Sequence, residues 1–389
     1  MKIKLSQAFD LQMGKTPARN NTAYWNGSKK WVSIADIGNS GKYIADTKEC
    51  ITDKGVRESG IKAVPKETVI MSFKLSIGKT AITAEELYTN EAIMAFIDKG
   101  IYAIDPAYFY HLCCGKNWTA GTNKAVMGLT LNKATISGIE INIPDIAEQR
   151  KIAARLDCLD TVIADRQLQL EYLDQLVKSR FIELFGDPVS NPMKWDICQL
   201  EECLDRIDNG KSFICSDKPR TGDNPAILKL SAATYGDYRP NENKALLDES
   251  LFVEISEVHA GDLLFTRKNT PALVGMAAYV QNTPPKLMLP DLIFRLVPNE
   301  RVNAVFLWKL INCKEFRPVI QAISGGSAKS MSNISKERLG KIKVICPPRE
   351  LQDSLIPFVE QTDKSKLAVQ KSLEELEILK KSLMQQYFG

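Results

Sequence analysis

Three short runs in the sequence carry the residue types of phosphate or metal chemistry. Gly78-Lys79-Thr80 and Gly210-Lys211-Ser212 each end like a phosphate-binding loop. Such a loop cradles phosphates in a nest of backbone N–H groups and needs another Gly five residues before its second Gly. Phe73 and Asp205 stand at those places, so nucleotide binding has no support. Glu242-x-Lys244 resembles half of a metal-dependent nuclease signature, but it lies in a Pro/Asn-rich turn with Asp237 as its close upstream acid. A base-amino methyltransferase needs an Asn- or Asp-Pro-Pro-aromatic loop. Neither Asp187-Pro188-Val189 nor Cys346-Pro347-Pro348-Arg349 satisfies it. The two histidines, His111 and His259, and the lack of Gly-x-Ser-x-Gly leave serine or cysteine nucleophile chemistry unsupported. The nine cysteines are scattered without a Cys-x-x-Cys pair, which predicts no zinc site and free buried thiols in a reducing cytosol. These observations describe a chain that binds and positions and does not catalyse.

Reading nucleic-acid bases requires paired donors or acceptors on loops that reach a groove. Thr266-Arg-Lys-Asn-Thr270 follows an apolar run and precedes Pro271, so it is expected to project as a loop. Within it Arg267 suits guanine, Asn269 suits adenine, and Lys268 and Thr270 flank them. The matching loop earlier in the chain is Ser72–Ser76, with Lys74 inside it and Lys79 and Thr80 just beyond. Thr122, Asn123 and Lys124 form a second candidate loop, and Ser327, Lys329 and Ser330 its counterpart. Lys29, Lys30, Arg57, Lys211 and Arg239 are weaker phosphate candidates. Trp25 and Trp118 fit core packing better than stacking on a base.

An internal repeat positions these loops. Leu176–Gly186 and Leu379–Gly389 end alike, at an offset of 203 (389 less 186), and the register holds without a gap back to Pro144 and Pro347. It aligns Gln149 with Gln352, Asp160 with Asp363, Leu173 with Leu376 and Lys178 with Lys381. Both copies predict long helices. Ile152, Leu156, Leu159, Ile163, Leu170, Leu173, Val177 and Leu184 step by threes and fours, as in a coiled-coil seam, with Arg166 and Arg180 interrupting. The predicted plan is globule, helix, globule, helix: residues 1–147, 148–187, 188–346 and 347–389. Each globule reads as a mixture of short strands and a later helix. Helices packed antiparallel would set the globules about a pseudo-two-fold axis, as suits a duplex whose half-sites lie ~34–36 Å apart.

Composition is that of an ordinary globular protein, with 25% charged residues and a formal net charge of +4. That charge is mild for a protein gripping a long duplex, so basic residues must be concentrated or shared with partners. The sequence shows no signal peptide and no apolar run able to cross a membrane, which predicts a cytoplasmic protein.

Several of these stretches resemble the specificity subunit (HsdS) of type I restriction–modification systems. They are Glu148-Gln149-Arg150-Lys151-Ile152, the heptads that follow, Glu183-Leu-Phe-Gly-Asp-Pro188, Lys30–Gly38 and Leu129–Ile139. The second copy departs from the pattern by stopping at Gly389 without the Asp-Pro of the first. The resemblance implies an α+β protein with two target-recognition domains, each reading one half of a bipartite, asymmetric DNA target. It implies an antiparallel coiled coil that sets the spacer and docks two methyltransferase subunits, with restriction subunits joining that core. No cofactor would be bound by this chain; S-adenosylmethionine, ATP and magnesium would belong to the partners. The competing expectations are a protein–protein scaffold with two binding heads and a free-standing nuclease or methyltransferase.

Overall fold

Between Gln149 and Leu184 the sequence contains neither Pro nor Gly, and one helix runs from Ile146 to Phe185. At ~1.5 Å per residue it is roughly 60 Å long. It stops at Gly186, whose φ of 73° is left-handed, just before Pro188. The second copy of the repeat is not continuous. A short turn, Arg349–Asp353, precedes the terminal helix Leu355–Phe388. Pro357 explains the break, because its ring crowds the carbonyl of Asp353 four residues back and it donates no N–H. The computed structural model describes residues 1–118, 131–325 and 331–389. No helix among them is long and apolar enough to cross a membrane.

The chain divides into two compact units, one of residues 1–168 with 370–389 and the other of residues 169–369. In the first unit, Phe9–Met13, Ile93–Asp98, Val69–Ser72, Thr80–Thr83 and Tyr43–Ile44 form a five-stranded sheet in that order. Glu49–Ile51, Trp25–Val32 and Tyr88–Thr89 form a smaller one, and Lys2–Lys4 pairs with Glu140–Asn142. The expected extended run at Trp31–Ile37 is half helix, because Ser33 and Asp36 form a capping box that starts Ile34–Asn39. The second unit repeats the plan with a four-stranded sheet of Leu204–Asn209, Ile293–Pro298, Leu263–Thr266 and Ala277–Tyr279. Asn243–Ala245, Ala226–Leu228 and Leu287–Met288 form its small sheet, and Asp196–Gln199 pairs with Lys343–Cys346.

Each unit packs its sheets and one later helix against two segments of the long helices. In the first, Ile152 and Leu156 of the central helix share a core with Phe109 and Leu112, and Leu383, Tyr387 and Phe388 pack on its edge. In the second, Val177, Phe181 and Phe185 share a core with Phe306, Leu355 and Val359. Each such fully buried side chain contributes about 1.5–3 kcal/mol. The two helix segments run antiparallel within each unit. Arg155 meets Tyr387 at 3.1 Å in the first, and Asp160 pairs with Lys380. In the second, Asp174 pairs with Lys366, and Arg180 lies over the Phe358 ring at 5.9 Å.

One side chain per unit joins globule to helix. Gln149 is 0% exposed; its amide accepts from Asp105 N at 2.9 Å and donates to Ala103 O at 2.9 Å and Pro144 O at 3.0 Å. Gln352, its repeat partner, accepts from Asn303 N at 2.9 Å and donates to Arg301 O at 2.9 Å and Pro347 O at 2.8 Å. Asp105 and Asn303 are themselves the N-caps of Pro106–Gly115 and Ala304–Asn312. Replacing either Gln by Ala strands three buried backbone groups, at about 1–3 kcal/mol for each that stays dry. Chemical denaturation of Gln149→Ala and Gln352→Ala should therefore each show a loss of about 3 kcal/mol or more. A change within about 0.5 kcal/mol, the range of ordinary surface substitutions, would show that these bonds do not matter.

Candidate nucleic-acid interface

The two first-choice loops are held by the same backbone lock. Ser72 N donates to Lys79 O and Gly78 N to Ser72 O, both at 2.9 Å. In the second unit Thr266 N donates to Met276 O at 2.9 Å and Gly275 N to Thr266 O at 2.8 Å. The hydroxyl above each lock accepts from the returning strand: Ser72 Oγ from Lys79 N at 3.1 Å, and Thr266 Oγ1 from Met276 N at 2.9 Å. Gly78 and Gly275 have φ of 89° and 72°, the left-handed conformation that closes each turn. The next residue is pinned on both sides. Phe73 N donates to Ala92 O at 2.9 Å and Leu131 N to Phe73 O at 3.1 Å; Arg267 N donates to Leu292 O at 3.0 Å and Ile334 N to Arg267 O at 2.8 Å. Arg267 thus occupies the place that a buried Phe73 fills in the first unit.

That lock changes the picture of a freely projecting Thr266–Thr270. Thr266 is buried, and Arg267 lies against Phe294 with its guanidinium 4.9 Å from the ring centre and Nη1 donating to Asn209 Oδ1 at 3.2 Å. Asn269 is buried, donating to Thr234 Oγ1 at 3.2 Å and accepting from Thr270 N at 2.8 Å, so its amide edge is engaged inside the unit. Lys268 is half-buried and 3.9 Å from Asp291, and Thr270 is exposed. In the first unit Lys74 lies over Phe73 at 5.2 Å, and Lys79 is exposed with no ion pair to a described residue. Thr80 is buried in its strand and donates to Gly78 O at 3.0 Å.

The second loop pair, Thr122, Asn123, Lys124 and Ser327, Lys329, Ser330, lies outside the described residues. Its flanks do not. Trp118 lies against Gly78, and Leu131 is bonded to Phe73. Ser332–Asn333 pairs with Lys268–Asn269, and Gly325 exchanges backbone bonds with Asn333 at 2.8 and 2.7 Å. In each unit the described flanks of the second segment therefore lie beside the first loop. Among the weaker candidates, Lys30 is paired with Glu85, and Arg239 with Asp237 at 2.8 Å.

Sequence reasoning missed a charged cluster where globule meets helix. His111 is 1% exposed, and its Nε2 lies 2.7 Å from Asp157 Oδ1; Lys42 Nζ holds both oxygens of that carboxylate at 2.6 Å. At the repeat position of His111 stands Lys309, whose Nζ lies 3.2 Å from the Trp308 ring centre and which burial pushes down to about 7. Through Asp157 the first cluster ties Lys42 and the helix Pro106–Gly115 to the central helix.

The folded chain falls in the class of two-unit α+β proteins in which each unit packs a globule against segments of two long helices. Residues 1–172 match the family model described as the type I restriction modification DNA specificity domain. The chain is 31% identical over 175 residues to the EcoEI specificity subunit of Escherichia coli, covering 44% of this chain and 30% of that one. It is 27% identical to the MjaIX specificity subunit of Methanocaldococcus jannaschii, over 54% of this chain and 52% of the relative. These alignments span about a third to a half of the relatives' lengths. The fold matches that of the type I restriction–modification S subunit from M. genitalium, with a TM-score of 0.59 at 13% identity, covering 100% of this chain and 96% of that one. A chain from a type I R-M system gives 0.61 at 17% identity, covering 100% and 97%. The family model thus covers a little under half of the chain, and the two solved structures share its fold along its whole length.

The His111 cluster sets a pH dependence. Burial lowers the His111 pKa below its ordinary value, against the pull of Asp157. Burial alone would raise Asp157, but bonds to Lys42 and His111 outweigh it and hold its carboxyl below the ordinary range. A depressed pKa means that the unfolded chain binds more protons, so stability falls on acidification, for His111 first, below about pH 6.5. His111→Phe, which keeps the ring packing, should flatten the loss of denaturation midpoint between about pH 6.5 and pH 5. An unaltered slope would remove His111 from that role.

Proposed function

We propose that this chain is the non-catalytic DNA-specificity subunit of a type I restriction–modification complex. Each globule reads one half of a bipartite, asymmetric target. The residues 1–147 and 188–346 are the target-recognition domains, and 148–187 and 347–389 the helical spacer. The reading rests above all on one observation: the same backbone lock recurs in both units but presents different residues, Phe73-Lys74 in one and Arg267-Lys268 in the other. A common scaffold with unlike tips suits two unlike half-sites. Lys74, Lys79, Lys268 and Thr270 are assigned to the DNA face; Thr122, Asn123, Lys124, Ser327, Lys329 and Ser330 remain candidates from the sequence alone. Arg267 reads or orients through the guanidinium edge not used by Asn209. Asn269 and Thr80 support the loops from inside.

The partners are double-stranded DNA, two methyltransferase subunits and restriction subunits, which carry S-adenosylmethionine, ATP and magnesium. Exposed apolar residues on the long helices are suited to docking them: Leu168, Ile378 and Leu379 in the first unit, Tyr172, Leu176 and Leu367 in the second. Because the helix segments run antiparallel within each unit, the spacer lengthens only if both helices do.

Adenine-methylation mapping of the assembled methyltransferase tests this. Arg267→Ala should relax one position of a single half-site, at about 1–3 kcal/mol per lost bidentate pair. Lys74→Ala with Lys79→Ala should weaken binding without changing the motif and reduce the salt slope by about 1 per lost phosphate contact. A motif unaltered by joint replacement of Arg267 and Lys329 removes these loops from base reading, and salt-independent binding favours the protein scaffold. One heptad added to both helices should widen the gap between half-sites and leave each half unchanged. A fixed gap would refute the spacer role.

A further inference from the structure

The cysteines do not behave as the scattered free thiols that the sequence suggests. Cys198, Cys203 and Cys346 come together in the second unit, with Cys198 and Cys346 bridged as a disulfide. Cys203 Sγ stands 3.0 Å from Cys198 Sγ and 3.5 Å from Cys346 Sγ. The three sit on different elements: the opening strand Asp196–Gln199, the turn Leu200–Cys203 and the closing strand Lys343–Cys346.

The internal repeat provides a control for what this spot requires. The opening strand and turn of the first unit pair in the same register: Leu5 N donates to Ile139 O as Leu200 N does to Ile342 O, both at 2.9 Å. The turn residues also cap alike, Lys4 with Gln7 and Gln199 with Glu202. In that register Cys198, Cys203 and Cys346 replace Ile3, Ala8 and Ile143, which are 5%, 0% and 4% exposed. An apolar contact therefore suffices for the fold. A disulfide accounts for two of the cysteines, and a small buried hydrophobe accounts for one. Neither accounts for three sulfurs converging.

We propose that the reduced chain holds one thiophilic divalent cation, zinc, on the thiolates of Cys198, Cys203 and Cys346. Cys203 lies 3.0 and 3.5 Å from the other two sulfurs, which the bridge holds together, so that once the bridge is reduced three thiolates can spread onto one face of a tetrahedral ion. Thiolate-to-zinc bonds of about 2.3 Å place such sulfurs a little under 4 Å apart. The three sulfurs already lie within 4.8 Å of one another, so side-chain rotation is enough. A thiol reductant first opens the Cys198–Cys346 bridge, supplying two electrons and two protons and becoming a disulfide itself; each of the three protein thiols then gives up its proton as the ion binds, and water takes the fourth position. The alternative, exchange of Cys203 into the bridge, needs a thiolate in line with the bond it attacks. Cys203 Sγ instead stands beside that bond, 3.0 and 3.5 Å from its two sulfurs, and not in line with it. The ion would clamp the first and last strands of the second globule just ahead of Pro347 and the terminal helix.

The test uses the full chain purified under reductant with zinc sulfate. Metal analysis should find one zinc per chain, and cobalt exchanged for it should show a thiolate charge-transfer band with tetrahedral ligand-field bands. Cys203→Ala should lose the metal and the band. The triple variant Cys198→Ile, Cys203→Ala, Cys346→Ile, which installs the residues of the first unit, should fold without metal and no longer respond to chelator. The wild-type melting midpoint should fall on chelation. A reduced, folded wild-type chain with no bound metal would overturn the proposal. So would zinc retained by the triple variant, or three thiols that react freely in the presence of zinc. Methylation mapping does not enter this test, so its outcome is independent of the DNA-reading assignment.

Discussion

A buried primary amide ties the molecule together. Gln149 and Gln352 each bond one backbone N–H and two carbonyls where a long helix leaves its globule. An amide is suited to this because it presents a donor pair and an acceptor on one planar group. A carboxylate would offer no donor, and a leucine would leave all three backbone groups dry. The bonds fix the direction in which each long helix leaves its globule. They also fix the helix Pro106–Gly115 or Ala304–Asn312, through the N-caps Asp105 and Asn303, whose backbone N–H groups donate to the glutamine oxygens.

From that anchor the two units are built by one rule. Each consists of a globule, the first part of the helix that follows it and the last part of the other helix. The aromatic at the end of the borrowed helix lands on the same place in both. Phe388 packs on Tyr108 at 5.5 Å, and Phe185 on Phe306 at 4.9 Å. The positions that carry this packing are matched between the copies, while positions at the loop tips are not. Phe73 and Arg267 share a backbone environment, but the first is buried and the second only partly so. On the proposed reading, selection for unlike half-sites would act on such positions and spare the lock beneath them.

The long helices, their period and the duplicated plan were legible in the sequence because each rests on many residues in register. The strands of the sheets were legible where apolar runs were bounded by turns, as at Val69–Ser72 and Leu263–Thr266. The capping box at Ser33 and the break at Pro357 were also written in the sequence, but each is a local signal that a wider apolar pattern hid. The fate of Asn269 was not legible. Its amide suits adenine in composition, and only the pairing of Lys268–Asn269 with Ser332–Asn333 turns it inward towards Thr234. The same holds for the three sulfurs, which are brought together from 148 residues apart in sequence by strand pairing and not by any spacing motif. Contacts between distant segments follow from register, and register is set by the whole fold.

Charge places a last constraint on how such a chain works. With a formal net charge of +4, and with basic residues such as Lys42 and Lys366 already paired with Asp157 and Asp174, the chain has little excess positive charge to offer phosphates. Affinity for a duplex falls steeply with salt when it depends on many phosphate contacts. A weakly charged recogniser therefore gains little from non-specific binding, and discrimination comes to depend on the loop tips and on partners that supply further contacts. On the proposed reading the subunit contributes sequence choice and spacing, and the assembled complex contributes the grip.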